Sequence, residues 1–184
     1  VRKIVYYGFI SVDGVIEDPP VFVHDFDEMM RENLGEVIGT QDTVLIGRGG
    51  YDDWAFHWPT ASEEPFASFI NNVRKVVVTS TPLKTEWKGA EVLAGEPGES
   101  LTERLAPLRE APGGDIGVHG SVSLAQSLLA EGLVDELALV MTPYLAGKGR
   151  RLFDGAPTGA LELQSARTSP TGTQLLRYTV RKAV

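Results

Sequence analysis

Apolar positions along the chain alternate between two rhythms. Lys3 to Ile10 is β-branched and aromatic and stops at Ser11-Val12-Asp13-Gly14, a turn composition, which predicts a strand. From Asp25 to Ile38 the residues Phe26, Met29, Met30, Leu34, Val37 and Ile38 recur at the spacing of one helical face. Thr43 to Ile46 is a short continuous apolar run, the pattern of a strand buried on both faces. Glu63 to Val73 predicts a helix with Phe66, Phe69 and Ile70 inward, followed by strands at Lys75 to Thr79 and Gly89 to Leu93. Ser100 is a good N-cap for a helix over Leu101 to Arg109. Ile116 to His119 predicts a strand. Leu124, Ala125, Leu128 and Leu129 mark a helix from Ser123 that ends at Gly132. Val134 to Thr142 predicts a further strand, with Asp135-Glu136 at its start expected to face solvent. Leu161 to Arg167 and Thr173 to Arg181 predict two antiparallel strands joined around Ser169-Pro170-Thr171-Gly172.

Strands separated by helical stretches imply crossover units and a mainly parallel sheet. The expectation is one α/β domain over residues 1–184, with a mixed, mainly parallel sheet of about eight strands flanked by about four helices. Its C-terminal edge should be antiparallel. Ligands bind such sheets beyond the carboxyl ends of the strands. Three of those ends share a composition: Gly47-Arg48-Gly49-Gly50 after one strand, Thr79-Ser80-Thr81 after another, and His119-Gly120-Ser121-Val122-Ser123 before a helix. Glycines let a ligand approach the backbone, helix N-termini offer free N–H groups, and Arg48 adds a fork of donors suited to a phosphomonoester. Their recurrence points to an extended phosphorylated ligand lying across the strand ends.

Composition narrows the choice. The charges, 17 Lys and Arg against 25 Asp and Glu, give a net −8 that repels nucleic acid, so any anionic ligand needs a local site. No apolar run approaches the roughly 18 residues of a membrane span. No basic, apolar leader precedes Tyr6, so a cytoplasmic location is expected. There is no cysteine, and His24, His57 and His119 are scattered, which argues against a metal site. Neither a Walker lysine loop nor a G-x-G-x-x-G after the first strand is present, and Ser121 lies outside a G-x-S-x-G elbow.

Several stretches taken in order resemble one family. Phe9-Ile10-Ser11-Val12-Asp13-Gly14-Val15-Ile16, Leu45-Ile46-Gly47-Arg48, Val77-Val78-Thr79-Ser80, the Gly120-Ser121 junction and Leu133-Val134-Asp135-Glu136-Leu137 are similar to the dihydrofolate reductase-like superfamily. Gly113-Gly114-Asp115-Ile116, Leu128 to Glu136 and Gly147-Lys148-Gly149-Arg150-Arg151-Leu152-Phe153 resemble its bacterial branch related to the riboflavin-biosynthesis reductase C-terminal domain. The resemblance implies that NADPH lies along the strand ends and gives hydride to a heterocycle. It places Phe9, Val15 and Ile16 beside the nicotinamide. Arg48, after Gly47, would meet the adenosine 2′-phosphate, and Gly50, next to Gly49, would offer backbone N–H groups to the pyrophosphate; Ser80 and Thr81 would lie at the ribose and its phosphate, and Gly120, Ser121, Val122 and Ser123 around the pyrophosphate. Two positions depart from the family pattern: Gly50 stands where Thr or Ser is usual, and His119 replaces the first of two glycines. The resemblance also implies a substrate carboxylate and proton donor among the first-helix acids Asp25, Asp27 and Glu28, with Asp27 the first choice and its pKa raised by partial burial; the competing reading is that these acids only complement the dipole of the first helical turn.

The aromatic stretch Tyr51, Trp54, Phe56, His57 and Trp58 could wall a flat substrate or pack inward, and packing is the favoured reading. The leading expectation is an NADPH-dependent reductase of a pterin, pyrimidine or related heterocycle, acting as a homodimer. Two alternatives stand beside it. One is a ribosylaminouracil phosphate reductase of the kind used in riboflavin synthesis, with Arg150 and Arg151 holding the substrate phosphate. The other is a non-catalytic ligand-binding dimer on the same fold, suggested by Gly50 and His119.

Overall fold

The computed structural model describes residues 1–181, and residues 182–184 of the expected domain lie outside them. Its strands are β1 (Ile4–Ile10), β2 (Gln41–Gly47), β3 (Arg74–Val78), β4 (Ala90–Leu93), β5 (Asp115–His119), β6 (Glu136–Met141), β7 (Leu161–Thr168) and β8 (Gln174–Val180). The helices are α1 (Glu28–Ile38), α2 (Arg48–His57), α3 (Phe66–Asn72), α4 (Leu101–Glu110) and α5 (Val122–Ala130), with short 3-10 turns at Pro19–Val21 and Trp58–Thr60. All eight strands join one sheet in the order β4-β3-β2-β5-β1-β6-β8-β7. The first six of that order pair in parallel, β8 runs antiparallel to β6, and β7 antiparallel to β8.

Both faces are covered, which is why the central strands read as unbroken apolar runs. On one face Leu105 of α4 and Leu124, Ala125 and Leu128 of α5 pack against Tyr6, Leu45, Ile116 and Leu137. On the other, Met30 and Leu34 of α1, Tyr51 and Ala55 of α2, and Phe66 and Ile70 of α3 pack against Val5, Tyr7, Ile46 and Val77. The strand inserted between β1 and β2 is β5, which comes later in the chain. It brings the ends of β1, β2 and β5 side by side on one rim.

Most expected elements are present with ends moved by a few residues, and local chemistry accounts for several boundaries. Ser100 caps α4 in a reciprocal box: its Oγ accepts from Glu103 N–H (3.2 Å) while its own N–H donates to the Glu103 carboxylate (3.0 Å). Gly132, at φ 66°, ends α5 in a Schellman motif, with Leu133 N–H donating to Leu128 C=O (2.9 Å) and Gly132 N–H to Leu129 C=O (3.0 Å). Three expectations are corrected. The segment after Gly47, read as a turn, is helix α2; Gly49 and Gly50 weaken its intrinsic propensity, and burial of Tyr51 and Ala55 overrides that. The first helix begins at Glu28 because Asp27 is its cap. Asp135 and Glu136 do not face solvent. Glu136 lies between Lys3 Nζ (2.6 Å) and Arg177 Nη2 (2.7 Å), and Asp135 accepts from Ile4 N–H and Arg109, both at 2.8 Å.

Lys75 of β3 is a buried cation. Fully enclosed, its ammonium donates to Ile70 C=O (2.7 Å) and Val73 C=O (2.8 Å) at the end of α3 and sits 4.6 Å from the centre of the Trp87 ring. Burial, with the charge of Lys88, pushes its pKa down to about 8 from 10.5. Between those values the unfolded chain binds the proton and the folded chain does not, so stability rises with pH there. Urea unfolding of the wild type from pH 8 to 10 should show this rise, and Lys75→Met should lack it. Parallel curves for the two proteins would show that Lys75 does not titrate in this range.

Candidate active site

Two helix N-termini meet on the rim. Gly47, in extended conformation, leads β2 into α2 with no side-chain cap. Across from it, Gly120 (φ 65°) and Ser121 (φ 46°) are successive left-handed residues that turn β5 into α5. Ser121 does not cap its own helix, because its Oγ accepts from Gly47 N–H at 3.0 Å. One hydroxyl thus fixes the two helix starts beside each other and leaves the first-turn N–H groups of both without side-chain caps. Gly120 is required by contact as well as by its φ, since a Cβ there would lie 3.0 Å from the Trp54 ring. Gly49 and Gly50 leave open space over the start of α2: a Cβ on Gly49 would meet nothing within 4 Å, and one on Gly50 only Ser121 Oγ at 3.9 Å.

Arg48 extends this rim toward β3. Its Nε donates to Thr81 Oγ1 (3.2 Å) and its Nη1 to Asp52 (3.0 Å). The Thr79–Thr81 turn is closed by Thr81 N–H donating to Thr79 Oγ1 (3.1 Å), and Ser80 is exposed on it. On the far side, Ser123 Oγ accepts from both terminal nitrogens of Arg150 at 3.0 Å. Arg150 also approaches Glu17 (3.7 Å), and Arg151 donates to Asp13 C=O (2.9 Å), so both arginines are already engaged.

The turn after β1 and the loop at 144–151 form a second unit. Asp13 accepts from Ala146 and Gly147 N–H (both 2.9 Å) and from the Ser11 hydroxyl (2.6 Å), and these bonds hold its carboxyl well below the usual range. Ile16 N–H donates to Arg150 C=O (3.1 Å), and Glu17 accepts from Arg150 N–H (3.1 Å). Val15 is fully buried in this clasp, bridged to Arg151 and paired with Ser11, and does not face the cavity described next.

A cavity of about 730 Å³ opens below the rim, over β1 and β5 and between α1 and α2. Phe9 and Ile16, two of the residues that the resemblance sets beside a nicotinamide, line it together with Gly120, Tyr7, Trp54 and Phe66. The aromatic stretch therefore divides. Trp54 and Trp58 wall the cavity, packed edge-on at 5.8 Å, whereas Tyr51 is core, its hydroxyl donating to Thr85 C=O (2.9 Å). Three buried polar atoms on residues of the cavity wall have no hydrogen-bond partner among the described residues: Tyr7 Oη, Trp58 Nε1 and His119 Nδ1. Burial pushes the His119 pKa down to about 3, so its imidazole is neutral at neutral pH. Tyr7 and His119 were not singled out as site residues from the sequence. The signal for Tyr7 was strand parity, since it shares a face with Phe9 two positions on.

Asp27 is corrected. Its Oδ1 accepts from Met30 N–H (3.0 Å) as the N-cap of α1, and its Oδ2 accepts from the Thr171 hydroxyl (2.7 Å). Partial burial pushes its pKa up, but these bonds and one from Ser169 outweigh it, and the net shift is downward. None of Asp25, Asp27 and Glu28 lines the cavity.

Comparison with known proteins agrees with this architecture. The chain is 27% identical over 186 residues to the uncharacterized protein YyaP of Bacillus subtilis, covering 96% of this chain and 94% of that one. Among solved structures, it superimposes on a pyrimidine reductase-like protein of Corynebacterium diphtheriae with TM-score 0.69 at 14% identity, over 99% of this chain and 93% of that one. A diaminohydroxyphosphoribosylaminopyrimidine deaminase/5-amino-6-(5-phosphoribosylamino)uracil reductase of Thermotoga maritima gives 0.68 at 17% identity, over 98% of this chain and 57% of that one. Dihydrofolate reductase of Enterococcus faecalis, complexed with NADP(H), gives 0.64 at 16% identity, over 98% and 97% of the two chains. The fold is thus dihydrofolate reductase-like, and since the family model described as RibD C-terminal domain matches residues 2–176, the chain belongs to that family.

Proposed function

We infer that this chain is an NADPH-dependent reductase that delivers hydride to a flat heterocycle of the pterin or pyrimidine type. The observation that carries the reading is the pair of uncapped helix starts, locked together by Ser121 and Gly47, directly above an aromatic cavity. The reductases among the structural neighbours, one of them complexed with NADP(H), support it.

The residues present fit the cofactor. The first-turn N–H groups of α2 and α5 suit a pyrophosphate, with Gly49, Gly50 and Gly120 keeping its path clear of side chains. Arg48 offers a guanidinium to a ribose phosphate, with the hydroxyls of Ser80 and Thr81 beside it. Phe9 and Ile16 present apolar surface to the nicotinamide end. When bound, NADPH supplies the hydride. The chain orients both reactants between its aromatic walls. The accompanying proton comes from water, because Asp27 is held ionised as a helix cap outside the cavity. A second copy of the chain belongs to the same reading, supported by Leu161 and Leu163, 43% and 53% exposed on edge strand β7.

Arg48→Ala should weaken NADPH binding about 10- to 100-fold, the loss of a charge-assisted contact, and leave NADH binding nearly unchanged. Calorimetric titration of both nucleotides tests this, and equal losses for the two, or no NADPH binding by the wild type, would overturn the assignment. Asp27→Ala should lower stability by about 1 kcal/mol without changing NADPH affinity. Because the folded-state pKa of Asp27 is depressed, that stability difference should be full above pH 3.8 and shrink as the pH falls further. Urea midpoints of wild type and variant between pH 6 and 3 measure it.

A further inference from the structure

Tyr7 and His119 face each other across the β1–β5 ladder, where the parallel register makes them partners. Their rings are 5.6 Å apart, and both residues line the cavity, at 4% and 2% exposure. The imidazole is fixed from below. Its Nε2 lies 2.8 Å from Gln41 Oε1, and Gly117 makes room for that bond. A Cβ at 117 would overlap Gln41 Oε1 and come within 2.8 Å of His119 Nε2. With the Nε2 hydrogen donated to Gln41, Nδ1 is left as an acceptor, and it has no partner. The Tyr7 hydroxyl, able to donate, has none either. Leaving buried polar atoms unpaired is costly, and native proteins keep few without a reason.

An acceptor and a donor carried by residues of one cavity wall match a ring N–H next to a ring C=O. We propose that Tyr7 and His119 determine substrate specificity by reading a lactam edge, Tyr7 O–H donating to the ring carbonyl and His119 Nδ1 accepting from the adjacent ring N–H. The proposal rests on the reductase reading of the same cavity and adds the residues that choose the ring.

The other charged groups on the cavity wall do not compete for this task. Glu64 binds the Ser68 hydroxyl (2.6 Å), and Glu63 accepts from Ser62 N–H (2.9 Å). Arg31 donates to Glu64 C=O (2.7 Å). Both unpaired atoms are closed to solvent in the structure. The aromatic wall packed against the imidazole includes Phe66, centred 5.2 Å from it, and Phe69 at 5.9 Å.

The experiment uses two flat probes of one ring system: lumazine, which carries ring N–H groups beside ring C=O groups, and 1,3-dimethyllumazine, in which methyl groups replace the ring N–H hydrogens. Tryptophan fluorescence should report lumazine binding at least about tenfold tighter than the dimethyl probe. Tyr7→Phe, which removes only the hydroxyl, should weaken lumazine binding about tenfold. Nitrogen NMR of the wild-type imidazole, independent of any variant, should show the proton on Nε2 and a shift at Nδ1 when lumazine binds. Equal affinities, no binding of either probe at millimolar concentration, or a proton on Nδ1 each overturn the proposal. NADPH titrated into the same samples keeps the two readings apart. Lost nucleotide binding with intact probe discrimination defeats the reductase assignment, and the reverse pattern defeats only the lactam edge.

Discussion

The hydrogen bond from Gly47 N–H to Ser121 Oγ is the constraint on which the rim depends. It joins residues 74 positions apart in sequence and fixes where two helices begin relative to each other. Its geometry exists only because Gly120 and Ser121 are both left-handed, a conformation costly for the serine and tolerated because the turn is held from both sides. A serine in that position would ordinarily cap its own helix. Here it gives up the cap, and two sets of backbone donors are aimed into one space.

The cavity below follows from topology. Inserting β5 between β1 and β2 makes Tyr7 and His119 neighbours, though neither their separation in sequence nor their chemistry pairs them beforehand. The same insertion brings Gln41, from the start of β2, against the imidazole over Gly117. Crossover order thus decides which polar atoms meet in the protein interior, while the apolar pattern decides only that they are buried.

Legibility from sequence divides along the same line. Elements set by local chemistry were readable: the Ser100 cap, the Gly132 terminus, the apolar strands and the antiparallel pair at the C-terminal end. Helix α2 was not, because Gly49 and Gly50 look like a turn and the burial that overrides them belongs to the whole fold. The rim residues Arg48, Thr81 and Ser121 could be named from recurring turn composition, but the bonds linking them span three strands. Asp27 was open to two readings for a physical reason. The same carboxylate serves equally as a helix cap or as a buried acid, and only the position of Thr171, brought by the distant β7–β8 turn, decides between them. Asp135 and Glu136 misled likewise, since the basic partners that draw them in come from both ends of the chain.

The clasp between the β1 turn and the loop at 144–151 is made largely through main-chain groups of that loop: Asp13 takes the N–H groups of 146 and 147, and Glu17 that of 150. A loop gripped by its backbone keeps its course whatever side chains it carries. Related chains can therefore exchange residues there and present new surfaces to new ligands on an inherited frame, so long as two acids some 130 positions upstream stay in place.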